Sequence, residues 1–253
     1  MSKLLTEDAV ARYRRDGVHW PVPVLTADEV AHYRGCLEAF ERSQGGPLRG
    51  SMMFKTHLLF TWVDRLIRTP KVLDAVEDIL GPDLLAWNTH WFIKEPGDGR
   101  YVAWHQDTTY WHLEPDDAVT VWIALSPATK ESGAMRMVPG THTSDVAPHV
   151  DTWKPGAMLT RGQEIAVEVD EASAVDVELR PGEMSLHHHR QVAVSADSAA
   201  LVRGVDRHGH FQPEPRPERD MDPALVAMQA EAAQRQASIL YAGTGRPTFR
   251  ADL

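Results

Sequence analysis

The sequence predicts a mainly β protein with flanking helices: a double-stranded β-helix (jelly-roll) core with an N-terminal helical layer and a C-terminal helix. Three observations predict it. From residue 83 onward, short β-prone runs follow one another: LLAWNTHWFIKE, YVAWHQDTTYW, VTVWIALS, AMRMV, IAVEV, AVDVEL and MSLHHH. Turn signals separate them at Pro96-Gly97, Pro115-Asp116-Asp117, Pro139-Gly140, Pro155-Gly156 and Pro181-Gly182, a rhythm that suits sandwiches and rolled sheets. Both ends of the chain carry helix signals instead.

The elements follow in order. Thr6 can cap a first helix that ends near Gly17. Thr26, with Glu29 three residues on, makes a capping box for TADEVAHYRGCLEAFERSQ, which runs to Gly45-Gly46. Thr69-Pro70 opens KVLDAVEDIL, and Gly81-Pro82 closes it. After the β runs listed above, QVAVS and AALVRGV add two more strands. PEPRPERDMDP is a proline-rich, charged connector, and PALVAMQAEAAQRQASIL is a last helix after Asp222. No repeat interrupts this order. The expectation is one domain over 1–253, with a mostly helical layer at 1–82, the rolled core at 83–205, and a connector and helix at 206–253. The alanine-rich final helix packs on the outside or serves a homo-oligomer contact.

Composition excludes some functions. With 43% hydrophobic and 25% charged residues the chain is an ordinary globular sequence. A formal net charge of -10 repels phosphate backbones, which argues against nucleic acid as a partner. No apolar run approaches the roughly 20 residues needed to span a membrane. The N-terminus lacks the apolar stretch of a signal peptide. The lone Cys36 cannot form an internal disulfide, in keeping with a reducing cytoplasm, and reads as packing in an amphipathic helix.

The chemistry centres on WHQD. On a strand, His105 and Asp107 share one face and Gln106 takes the other. An imidazole and a carboxylate side by side could be two ligands of one metal ion or a hydrogen-bonded pair in a core. A second cluster, His187-His188-His189, follows the Arg180-Pro181-Gly182-Glu183 turn. A rolled sheet brings such distant strands together. Two histidines and one carboxylate on one side of an iron ion leave the remaining positions open.

Several segments carry a resemblance. FKTHLLF (54–60), GPDLLAWNTHWFIKEPG (81–97), WHQDTTYW (104–111), VTVWIALSPATKESGAMRMVPGTH (119–142) and RPGEMSLHHH (180–189) stand in the order found in the phytanoyl-CoA dioxygenase family. This is a family of iron(II)- and 2-oxoglutarate-dependent oxygenases, and the chain is similar to it over most of residues 50–190. The resemblance implies that His105 and Asp107 are iron ligands, that Lys55 contacts 2-oxoglutarate, that His90 lines the cosubstrate site and that Trp122 packs beside it. For Lys55 a surface role, and for His90 and Trp122 core packing, are the competing readings. Thr108, Thr109, Tyr110, Trp111 and His112 would line the mouth of a substrate pocket.

The resemblance breaks after the histidine run. The family's third iron-ligating histidine would fall on Val192 or Ala193, and neither it nor the arginine for 2-oxoglutarate follows. Three readings stand: a segment that the family carries here is absent from the sequence; one of His187, His188 or His189 is the third ligand; or the site has lost it and no longer catalyses. His208 and His210, in HGH, have metal-like spacing but read as loop histidines.

The implied reaction is hydroxylation of a small organic molecule at an unactivated carbon, with dioxygen and 2-oxoglutarate as cosubstrates. Related halogenases carry a small residue in place of Asp107 to admit chloride, so the aspartate implies hydroxylation. A non-catalytic ligand-binding jelly roll and a cupin-like metalloenzyme are the rival classes.

Overall fold

A computed structural model describes residues 2–97, 99–106, 118–189 and 198–245. They contain α1 (Glu7–Asp16), β1 (Val18–Pro23), α2 (Ala27–Gln44), α3 (Thr61–Ile67), α4 (Pro70–Leu80) and β2 (Leu84–Ala86). Next come β3 (Ala118–Ile123), β4 (Met135–Met137), β5 (His149–Asp151), β6 (Gln163–Ile165), β7 (Val175–Val177) and β8 (Glu183–His189). The last are β9 (Ser198–Arg203), β10 (Gln212–Pro213) and α5 (Pro223–Leu240). None of these helices is long and apolar enough to cross a membrane. The chain divides into two compact units, each drawn from three separate stretches: residues 1–32, 70–81 and 94–194, and residues 33–69, 82–93 and 195–253.

Helix ends fall where their caps predict. Thr6 Oγ1 accepts the Ala9 N–H (3.1 Å), and Gly17 ends α1 at φ 74°. The Thr26 N–H donates to Glu29 Oε2 (2.7 Å) and the Glu29 N–H to Thr26 Oγ1 (3.3 Å), closing the capping box. Asp222 Oδ1 accepts the Ala224 N–H (2.9 Å) and opens α5.

The first unit is organised by an antiparallel sheet in the order β1-β8-β3. Alternation gives β8 two different faces. Met184 and Leu186, both fully buried, pack with Leu5, Ala9, Tyr13, Val72 and Ala75, so this face is covered by α1 and α4. Val119, Val121 and Ile123 of β3 join them. The opposite face carries Ser185 and His187, with Trp122 registered on Ser185 and Thr120 on His187. The paired strands β4/β7 and β5/β6, all antiparallel, complete the unit.

The second unit holds a three-stranded sheet, β10-β9-β2, parallel on one side and antiparallel on the other. Ala232 and Ala233 of α5 pack on Phe54, and the Gln229 amide nitrogen donates to Ser51 O (2.6 Å) and Phe54 O (2.7 Å). The Phe40, Phe60, Trp62 and Trp91 rings make a chain of contacts with centroids 4.7–5.6 Å apart.

Two elements lie outside the expectations, and one expectation needs correction. VHWPVP is strand β1, although Pro21 and Pro23 argue against one; it lies at a sheet edge with a register break between His19 and Val22, where proline is tolerated. TWVDRLI forms α3 without a side-chain cap, so nothing in its sequence announced it. The run beginning YVAWHQ is not a strand over 101–106: Tyr101 makes an isolated bridge to Ala157, and residues 102–106 are irregular. QVAVS lies outside the described residues.

Candidate active site

His105 lies in that irregular segment, so face alternation on a strand does not orient it. A hydrogen bond does. Its Nδ1–H donates to Ala103 O at 2.8 Å. This puts the imidazole lone pair at Nε2, and metal-ligating histidines are commonly oriented by such a bond from the other nitrogen to a carbonyl. The preceding Trp104 accepts the Ile165 N–H through its carbonyl (2.9 Å), and its ring lies 5.4 Å below the Arg136 guanidinium. Arg136 is in turn held by Glu171 (2.7 Å).

Gln106 is fixed on both its backbone and its side chain. Its N–H donates to His149 Nε2 (3.0 Å), and its Oε1 accepts the Ala147 N–H (2.7 Å). His149 donates through Nδ1 to Ala147 O (2.8 Å). That pattern requires a neutral ring. Burial lowers the His149 pKa, and the nearby His105 lowers it further against the raising effect of the Ala147 bond. Asp107, Thr108, Thr109, Tyr110, Trp111 and His112 lie outside the described residues.

The histidine run resolves by parity. His188 is on the face of β8 covered by helices, with its ring 6.3 Å from Tyr13 and 5.0 Å from His142. Its N–H donates to Gly17 O (2.8 Å), and a side chain at Gly17 would overlap the His142 ring. His187 is on the other face, buried, with Trp122. His189 pairs with Ala118. Trp122 also packs, with Trp20, against Ala124, Ala128 and Leu179. Two hydroxyl oxygens on the His187 face, Thr120 Oγ1 and Ser185 Oγ, are buried with no hydrogen-bond partner among the described residues. Such groups are costly unless something polar meets them.

Lys55 is not a surface residue. It is fully buried, and its ammonium donates to Trp87 O, Ser198 O (2.6 Å) and Glu214 Oε1 (2.9 Å). An ammonium has three hydrogens, and these three acceptors account for them. Glu214 also accepts from Ser198 Oγ (2.6 Å) and bonds His57 Nε2 (2.6 Å). Burial pulls its pKa up, but the His57 bond and the Lys55 charge outweigh this and hold it below the usual carboxylate range. Glu214 and His57 escaped the sequence reading; His57 stands within FKTHLLF, and no motif marks Glu214. Thr89, bonded to His57 Nδ1 (3.0 Å), extends the network to the segment that carries His90.

His90 bridges Phe54 in the backbone and meets the Phe92 ring edge-on at 5.1 Å. Its side chain has accessible surface, yet desolvation by surrounding protein lowers its pKa to about 4. His208 and His210 stack at 5.6 Å on an exposed loop. Among the described residues no three His, Cys, Asp or Glu side chains form a metal-sized cluster.

The phytanoyl-CoA dioxygenase (PhyH) sequence profile matches residues 13–196. The chain belongs to the phytanoyl-CoA dioxygenase family. Among curated relatives it is 29% identical over 150 residues to a probable alpha-ketoglutarate-dependent hypophosphite dioxygenase of Stutzerimonas stutzeri, covering 58% of this chain and 51% of that one. It is 30% identical over 162 residues to L-proline trans-4-hydroxylase of Streptomyces griseoviridis, covering 59% of each. The chain thus spans little more than half the length of these two relatives. The solved structure of apo ThoJ, a non-heme monooxygenase, superposes with a TM-score of 0.76 at 35% identity, over 92% of this chain and 97% of that one.

Proposed function

We propose that the chain is an iron(II)- and 2-oxoglutarate-dependent oxygenase that hydroxylates a small organic molecule at an unactivated carbon. The observation that carries this is the bond from His105 Nδ1–H to Ala103 O, which leaves the acceptor lone pair on Nε2 within a WHQD motif in a chain of this family. Membership of the phytanoyl-CoA dioxygenase family and likeness to a proline hydroxylase and to a probable alpha-ketoglutarate-dependent dioxygenase support it. We read the sheets of the first unit as parts of a jelly roll.

His105 and Asp107 would hold the metal. Iron and 2-oxoglutarate, when bound, supply oxidation of a carbon–hydrogen bond by dioxygen. The chain's own residues do the rest. Ala103 O fixes the tautomer and ring direction of His105. Trp122 supplies an apolar wall on the His187 face of the sheet, and the Thr120 and Ser185 hydroxyls offer hydrogen bonds there. Lys55 holds the 87–91 segment from within. His188, turned to the helices, is set aside as a metal ligand. The Asp107 carboxylate favours hydroxylation over halogenation.

The test is anaerobic titration with iron(II) and 2-oxoglutarate, followed by the charge-transfer absorption, then succinate release in air. The expected result is a band and succinate formation in the wild type, with both lost in His105→Ala and Asp107→Ala. A protein with neither signal is a binding module. One that turns over without consuming 2-oxoglutarate is cupin-like.

A further inference from the structure

Two histidines of the first unit use the same local device. His105 donates Nδ1–H to the carbonyl two residues before it, Ala103 O, at 2.8 Å; His149 donates Nδ1–H to the carbonyl two residues before it, Ala147 O, also at 2.8 Å. Each bond sets the tautomer and leaves the acceptor lone pair at Nε2. For His149 that lone pair has a partner: it accepts the backbone N–H of Gln106 at 3.0 Å. Both nitrogens of His149 are therefore engaged, which argues against a role as metal ligand.

Gln106 completes a ring. Its Oε1 accepts the Ala147 N–H at 2.7 Å, so the segment 147–149 grips Gln106 by backbone and side chain together. The segment is anchored by β5, which pairs with β6 through His149↔Ile165. Ile165 also donates its N–H to Trp104 O, so the same strand pair holds the residue before His105. The stretch from Trp104 to Gln106 has no regular structure of its own, and these contacts replace the ladder that a strand would provide.

We propose that His149 and Gln106 are positioning residues for His105: they clamp the residue that follows it onto the 147–149 segment and so fix the backbone beside the His105 imidazole. This rests on the proposed function. It also explains the glutamine of WHQD, an uncharged acceptor on a long arm. A glutamate could accept the same bond but would put a second negative charge beside Asp107.

The experiment uses the full chain with two pairs of variants. His149→Leu removes the acceptor; His149→Gln restores one near the Nε2 position. Gln106→Leu removes the grip on Ala147, and Gln106→Glu keeps it. Manganese(II) affinity is read by electron paramagnetic resonance, and exchange of the Gln106 amide is followed in the metal-free protein. Orienting partners of metal ligands are worth about 10- to 100-fold in metal affinity. His149→Leu and Gln106→Leu are expected to weaken manganese binding by about that factor. His149→Leu speeds Gln106 amide exchange, and His149→Gln recovers most of both losses. Should either leucine variant fail to fold, the other carries the test. Wild-type metal binding with both leucine variants within about twofold of it overturns the proposal, as does a His149→Gln variant as weak as His149→Leu. A wild type that binds no metal overturns the proposed function, and this inference with it.

Discussion

Two buried polar regions differ in one respect. In the second unit, Lys55, His57, Ser198 and Glu214 bond one another or nearby carbonyls, and both Glu214 oxygens have partners. On the β3/β8 sheet of the first unit, Thr120 Oγ1 and Ser185 Oγ are buried and meet no acceptor or donor among the described residues. Burial is common to both; satisfaction is not. A closed network holds structure, since its members find in the chain what water offered before. An open one retains bonding capacity for a bound molecule. Lys55 belongs to the closed kind and the face carrying Trp122 to the open kind.

The sharpest way to break this comparison is Glu214→Leu. It strands the Lys55 charge in the interior, and removing one partner of a buried pair costs about 3–5 kcal/mol. Urea denaturation should show a loss of that order. The double variant Lys55→Met/Glu214→Leu should cost less than the two single changes summed, because no lone charge remains.

The same carboxylate makes a pH prediction. Its pKa is lower in the folded chain than the ordinary 4.5. The unfolded chain therefore takes up its proton first as pH falls. The contribution is complete above about pH 4.5 and is lost as acidity passes through the folded value. Glu214→Gln should flatten this part of the acid-unfolding profile.

Smaller effects are expected on the open face. Thr120→Val and Ser185→Ala remove unsatisfied hydroxyls, so the ligand-free protein should lose nothing or gain about 1 kcal/mol. The same variants should raise the KM for 2-oxoglutarate. A stability loss with an unchanged KM would show that both hydroxyls serve the fold. Smallest is the His90 titration. Its ring resonances should move with a midpoint near 4, well below the ordinary 6.5. Its contribution to stability is full above pH 6.5 and declines as pH falls toward 4. A midpoint near 6.5 would place the ring in open water.

Much of the fold was legible because its signals are local. Thr6, the Thr26/Glu29 box, Pro70 and Asp222 each act on backbone groups within a few residues, so reading the string finds them. β1 was hidden because its prolines are tolerated only at an edge, and a strand's place in a sheet is not a local property. The strand reading of residues 101–106 failed for the opposite reason. Aromatic, alternating composition suggests pairing, but Trp104, His105 and Gln106 spend their bonds on Ile165, Ala103 and His149.

The sequence by itself determined the boundaries of α1, α2, α4 and α5, the family and the His105-x-Asp107 spacing, since caps, motif order and residue identity are properties of neighbours in the chain. Only the tertiary structure decided that His188 faces helices while His187 faces Trp122, that Lys55 spends its charge on a residue 159 positions away, and that Gln106 is held by His149. Each of these depends on which distant strand or loop comes within about 3 Å, and hydrogen bonds reach no farther than that.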